Sequence, residues 1–209
     1  NPSGVVPDYV ECLAIDGACA EARRALRRGL EGVRAGRYTA IVIDTLSSLA
    51  DREYAHITGV EGESISYGRA ARALANRLQP FVWEALASGV TVVALCHDKE
   101  PEEFDGKQFP GGLRLPGKLV ELEPSLFRTV IRCDIATGPD GQPTRVFRCD
   151  PTDKRYFQGD SWGVVVNGEP MDLAAVIARI EARVRGEEVA LPTAVVVGAR
   201  AGNGKGLVL

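Results

Sequence analysis

The sequence predicts an α/β fold, a mostly parallel sheet flanked by helices, with a β-hairpin extension. Three observations lead there. Two short runs, in YTAIVIDTLSSL and GVTVVALCHD, are continuously apolar and β-branched, the pattern of strands buried on both faces of a parallel sheet. Stretches with apolar residues at helical spacing alternate with them. Finally, TGPDGQP separates SLFRTVIRCDIA from TRVFRCDP, and a strong turn signal between two such runs predicts a hairpin.

Taken in order, DYVECLA reads as a short strand. AEARRALRRGLEGVRAGR places Ala22, Leu26, Leu30 and Val33 on one face, which predicts an amphipathic helix. The first buried strand follows and ends in Asp44 and three hydroxyl residues. From Tyr67 to Ser88, Tyr67, Ala71, Leu74, Leu78 and Val82 are in helical phase, with Pro80 placed to kink or divide the helix. The second buried strand ends in His97 and Asp98. Residues 99–118, KEPEEFDGKQFPGGLRLPGK, show charges, glycines and prolines without periodicity and read as a long mobile loop. The hairpin occupies 128–150, SWGVVVNGEP adds a short strand and turn, and PMDLAAVIARIEARVRG is a helix with Asp172 near its start. A further strand, Thr193–Val197, leads into a glycine-rich loop. The expected organisation is a core over 1–190, then a strand and phosphate loop over 191–209.

Composition narrows the function classes. The 209 residues carry a net charge of −3, so no global positive field recruits nucleic acid, and any such contact needs a local patch. No apolar run approaches the roughly 18 residues of a membrane span. The start, NPSGVVPDYV, lacks the basic and long apolar regions of a secretory signal. The five cysteines have no metal-ligand spacing and read as reduced thiols of a cytosolic protein, Cys12 and Cys96 inside apolar strands.

The chemistry centres on GARAGNGKGLVL. A phosphate cradle needs glycines so that backbone N–H groups converge on oxygens, a lysine for the β- and γ-phosphates, and a hydroxyl for Mg²⁺. Gly202, Asn203, Gly204 and Lys205 satisfy the first two needs, with Ala199 where the first glycine usually stands. Gly206 occupies the position of the metal-binding Ser or Thr. In IVIDTLSSL, Asp44 and Thr45 end a buried strand as does the acid that holds Mg²⁺ through water in nucleotide hydrolases. His97 ends the second such strand, where open α/β sheets bind ligands.

With these pieces, FPGGLRLPGKLVELEPSLFRTVIRCDI and CDPTDKRYFQGD give a chain that resembles the RecA-like ATPases of bacteriophages, and more narrowly their single-strand-annealing group. The resemblance runs from about Tyr38 to Asp172 and is most specific over Pro110–Lys118. It implies ATP and Mg²⁺ as ligands, Asp44 as the metal-associated acid and His97 as the nucleotide sensor. It also implies that Lys154 or Arg155 reaches a neighbour's nucleotide in a ring or filament, stabilising charge on the transferring phosphoryl group. Residues 99–118 then correspond to a DNA-facing loop, in which Lys99, Lys107, Arg114 and Lys118 can meet the backbone of single-stranded DNA and Phe104 and Phe109 can stack bases. Glu100, Glu102, Glu103 and Asp105 oppose those cations.

In that family the phosphate loop comes first, followed by its helix and a strand carrying the water-activating glutamate. Here the loop comes last, and neither Glu11 nor Asp16 is placed as the base. A circular permutation, a fragment of a tandem protein, and ordered parts of a longer polypeptide numbered through are the three open explanations. Few residues follow Lys205, so the helix behind the phosphates is short and the expected hydrolysis weak. The rival is a nucleotide-free relative serving as a structural or DNA-binding subunit, favoured by Gly206 and the missing glutamate strand.

Overall fold

The computed structural model describes residues 17–61, 65–109, 111–116, 119, 126–138, 140–150, 159–192 and 207–208. The expected strands at DYVECLA and Thr193–Val197 lie outside these residues. So do Gly202, Asn203, Gly204, Lys205, Gly206, Lys118, Lys154 and Arg155. The chain divides into two compact units, one of residues 1–42 and 48–93, the other of residues 43–47 and 94–209.

Helices dominate the first unit. Helix α1 (Ala18–Arg34) buries Ala22 and Leu26 of the expected face together with Ala18 and Cys19, while Leu30 and Val33 are half-buried. Gly17 brings no side-chain cap. A carboxylate from elsewhere does that work: the Cys19 N–H donates to Glu53 Oε2 at 2.8 Å, and Arg77 Nη1 holds Glu53 Oε1 at 2.6 Å. A carboxylate at this end complements the helix dipole. Gly36, at φ 68°, ends α1, and the Arg37 N–H closes on the Gly32 carbonyl at 2.8 Å, a left-handed cap that suits glycine.

Between the strands β1 (Ala40–Ile43) and β2 (Thr91–Ala94), which pair with each other, come α2 (Leu46–Glu61) and α3 (Tyr67–Leu86). Ser66 caps α3 by accepting from the Arg69 N–H, and Leu74, Leu78, Phe81, Val82 and Ala85 face inward. Arg23 and Arg27 of α1 both hold Glu84 of α3, at 2.9 and 3.1 Å. The apolar runs in β1 and β2 are less covered than expected. Val42 is 61% exposed and every β2 residue is half-buried, because among the described residues this ladder has only two strands.

Pro80 sits inside α3 without dividing it. Its ring removes one backbone hydrogen bond, and both Asn76 and Pro80 are exposed, so water reaches the freed carbonyl. Pro80→Ala restores the bond and relieves the helix of proline, whose cost in a helix interior is about 3 kcal/mol. A rise in stability of about 1–3 kcal/mol in urea denaturation is the expected result.

The second unit is mainly β. Its strands are β3 (Cys96–Lys99), β4 (Glu102–Phe104), β5 (Lys107–Phe109), β6 (Gly112–Leu113), β7 (Thr129–Val130), β8 (Arg132–Thr137), β9 (Pro143–Arg148), β10 (Gly159–Asp160) and, after helix α4 (Leu173–Val184), β11 (Leu207–Val208). Five of them form one sheet in the order β6-β3-β11-β8-β9, and two further pairs are β10-β7 and β4-β5. In this unit each strand pair is antiparallel. This corrects the expectation of a mostly parallel sheet. Parallel neighbours need long crossovers, whereas short turns join β4 to β5 and β8 to β9, and β11, which follows α4, lies antiparallel to both β3 and β8.

The expected hairpin is β8–β9, in register from Arg132↔Arg148 to Thr137↔Pro143. Its turn closes through the Gly138 N–H to the Gln142 carbonyl at 2.8 Å. Ile131, Cys133, Phe147, Cys149 and Val176 form the core under it, where Met171, Leu173 and Ile180 bring α4 onto the hairpin. Asp172 caps α4 through the Ala175 N–H at 3.0 Å. Cys133 faces Phe147 across the ladder rather than Cys149, and Cys19, Cys96, Cys133 and Cys149 are free, buried thiols.

Residues 99–118, expected as a loop without structure, contain a two-stranded hairpin. β4 and β5 pair through a two-residue turn, Phe104↔Lys107, with Asp105 at φ 52° and Gly106 at φ 70°. An Asp-Gly pair with both φ positive matches the twist of the flanking strands.

Candidate functional site

The expected Mg²⁺ acid and the expected sensor histidine are brought close by backbone hydrogen bonds of Leu95. The Leu95 N–H donates to the Ile43 carbonyl at 2.9 Å, and the Leu95 carbonyl accepts from the Leu46 N–H at 2.7 Å. Asp44 and Thr45 form the turn between those two anchors, joined by a cis peptide bond. Asp44 is exposed and Thr45 half-buried. Ser47, fully buried in the first turn of α2, locks the far side. Its hydroxyl lies 2.9 Å from Cys96 Sγ and accepts the His97 N–H at 3.0 Å. The start of β3 is thus fixed against the start of α2, with His97 half-buried at the rim.

β11 enters from the other edge of β3, with Leu207 opposite His97 and Val208 opposite Cys96. Leu207 is two residues beyond Lys205 in the sequence. Across β11, Val208 pairs with Arg132 of β8. On the remaining edge of β3 the Arg114 N–H donates to the His97 carbonyl at 2.8 Å, so Arg114 also joins this neighbourhood. Lys107 does not: it lies at the β4–β5 turn. That hairpin is acidic, and its margin is tied down by a Lys99–Glu102 ion pair at 3.0 Å. Of the cations expected to line one DNA-facing loop, Lys107 and Arg114 therefore stand on separate elements.

Next to His97 is a charge that sequence reasoning did not single out. The Asp98 side chain is 3% exposed and accepts from Arg132 Nε at 2.9 Å. Its Oδ1 has no hydrogen-bond partner. Burial outweighs the arginine and pushes the carboxyl up from 3.8 to about 6, the direction desolvation imposes on an acid. Arg132 also lies 4.0 Å from Asp134, which Arg148 approaches at 3.5 Å. The row runs across β3, β8 and β9 and ties them together. Ser47 and Asp98 were visible in the sequence only as polar residues closing two apolar runs, and nothing there separates a buried acid from an exposed one.

Among the described residues no group of three His, Cys, Asp or Glu side chains is arranged to hold a metal. A single exposed carboxylate at a strand end suits Mg²⁺, which keeps most of its waters and relies on substrate phosphates for further ligands. Asp44 with the Thr45 hydroxyl fits that role; the glycine at 206 supplies no hydroxyl. No described helix is long and apolar enough to cross a membrane.

Comparison of the chain with protein-family models, with curated proteins and with solved structures finds no match.

Proposed function

We propose that the chain is a RecA-like ATP-binding protein of recombination that grips single-stranded DNA in its nucleotide-bound state, assembled as a ring or filament. The observation that carries this reading is the register of β11. Leu207 stands opposite His97, on the strand whose approach, through Leu95, is bonded to both sides of the Asp44–Thr45 turn. The exposed acid and the histidine are thereby drawn toward one sheet end, and the lysine that this reading assigns to the phosphates precedes Leu207 by two residues in the sequence. Lys205 neutralises phosphate charge, Asp44 and Thr45 hold the water shell of Mg²⁺, and His97 senses the γ-phosphate. Lys154 or Arg155 is supplied by an adjacent copy. Mg²⁺ held there would supply charge neutralisation at the phosphates. Preorganised charge of this kind acts on the transferring phosphoryl group.

Equilibrium titration with ATP, with and without Mg²⁺, tests the reading. Saturable binding strengthened by Mg²⁺ is expected, with the Mg²⁺ dependence lost in Asp44→Asn. Absence of saturable binding removes it.

One observation favours the second reading, a nucleotide-free relative that binds DNA or serves as a structural subunit. A phosphate loop is normally followed by a helix whose N-terminus faces the anion, whereas Leu207–Val208 is a strand. On that reading ATP does not bind, and single-strand affinity is the same with and without nucleotide.

A further inference from the structure

The densest positive charge in the chain is on α1 rather than in residues 99–118. Between positions 23 and 37 stand six arginines and one carboxylate, Glu31, in a protein whose net charge is −3. Arg23 and Arg27 hold Glu84. Arg24 and Arg28 are exposed on the side of α1 opposite its buried Ala22 and Leu26, and Arg34 is exposed on its flank, along a helix about 25 Å long at 1.5 Å per residue. The row continues past the helix end to Arg37, whose guanidinium lies 5.6 Å from the centre of the Tyr38 ring. That ring packs directly on Gly32, where an added Cβ would lie 2.1 Å from Tyr38 Cε2. A half-buried aromatic is thus fixed at the end of the row.

Resting on the single-stranded DNA reading above, we infer that the arginine row of α1, with Tyr38 at its end, is the surface that binds the nucleic-acid backbone. The composition argues for that occupant. Guanidinium groups pair with phosphate oxygens in a planar, two-bonded way that an ammonium does not reproduce. An aromatic beside such a row offers a base a face on which to stack. The β4–β5 hairpin, with Glu102, Glu103 and Asp105 exposed, repels the same ligand.

The test is fluorescence anisotropy of a labelled oligothymidylate, with and without ATP and Mg²⁺, over a range of salt. The triple variant Arg28→Gln/Arg34→Gln/Arg37→Gln is compared with Lys107→Gln/Arg114→Gln. Circular dichroism and a urea curve confirm that each variant is folded. Each lost phosphate contact on a single strand reduces the log–log salt slope by about 0.7. The triple variant is therefore expected to flatten the slope by about 2 and to weaken binding at least about tenfold, while the Lys107/Arg114 variant matches wild type. Tyr38→Leu is expected to weaken binding several-fold at unchanged slope. An unchanged slope in the triple variant overturns the assignment. If the loss appears instead in the Lys107/Arg114 variant, α1 is excluded while the DNA reading stands. No binding by the wild type in either condition removes both. Competition by polyglutamate as effective as by unlabelled oligonucleotide also overturns the assignment, in favour of an acidic protein partner.

Discussion

Arg132→Met lowers stability by about 3–5 kcal/mol near neutral pH, the usual cost of leaving one member of a buried ion pair without its partner. The partner is Asp98, 3% exposed, with one carboxylate oxygen already lacking a hydrogen bond. Without the guanidinium, the Lys99 backbone N–H is a weaker compensation for that acid than the ion pair. Urea denaturation of Arg132→Met, Asp98→Asn and the double variant measures the effect. The double variant is expected to recover most of the loss, because it removes the stranded charge. The pH dependence has a definite sign. In the fold the Asp98 carboxyl is pushed from 3.8 to about 6, so its proton is held more tightly than in the unfolded chain. Ionisation therefore works against the fold. The cost is absent below about pH 4, grows between about pH 4 and 6, and is complete above that window. Between those limits the stability difference between wild type and Asp98→Asn is expected to shift by up to about 3 kcal/mol, in favour of the variant as pH rises. The loss in Arg132→Met shrinks in acid for the same reason.

Arg179→Met has a comparable effect, about 3–5 kcal/mol, in the core beneath the hairpin. Arg179 Nη2 reaches both Glu169 oxygens at 2.7 and 2.6 Å, and its Nε donates to the Val164 carbonyl at 2.9 Å. Glu169 is 2% exposed. Its backbone carbonyl accepts from the Phe147 N–H at 2.9 Å, so the pair connects α4 to the segment lying along β9. Arg179→Lys keeps the charge but loses the fork of donors, and lysine does not replace arginine at such a site. The expected order of urea midpoints is wild type, then Arg179→Lys, then Arg179→Met.

Helices α1 and α4 were legible because their apolar residues repeat with the period of a helix and nothing polar interrupts the inward face. Helix α2 was not. Its inward positions Leu49, Ala50, Glu53 and Ile57 have helical spacing, but Glu53 faces the interior to cap α1 and satisfy Arg77. A tertiary role thus erased the local signal. The β4–β5 hairpin had a signal, Asp105–Gly106, that its short, charged strands obscured. Strand direction was misread for a different reason. Continuous apolar runs indicate burial, and burial indicates a parallel sheet only when helices supply the cover. Here β3 lies between β6 and β11 in an antiparallel sheet. At the site, Asp44 and His97 were readable as polar ends of apolar strands. Ser47, Asp98 and Arg132 were not, because their importance lies in who meets them across the sheet.

A double-mutant cycle on ATP affinity, pairing Lys205→Ala with Asp44→Asn in the presence of Mg²⁺, tests most directly whether the lysine and the acid serve one triphosphate. If they do, each single variant weakens binding and the two losses are not additive, with a coupling of at least about 1 kcal/mol, as for residues acting on a shared partner. Two losses that simply add, or an affinity indifferent to Lys205→Ala, contradict it.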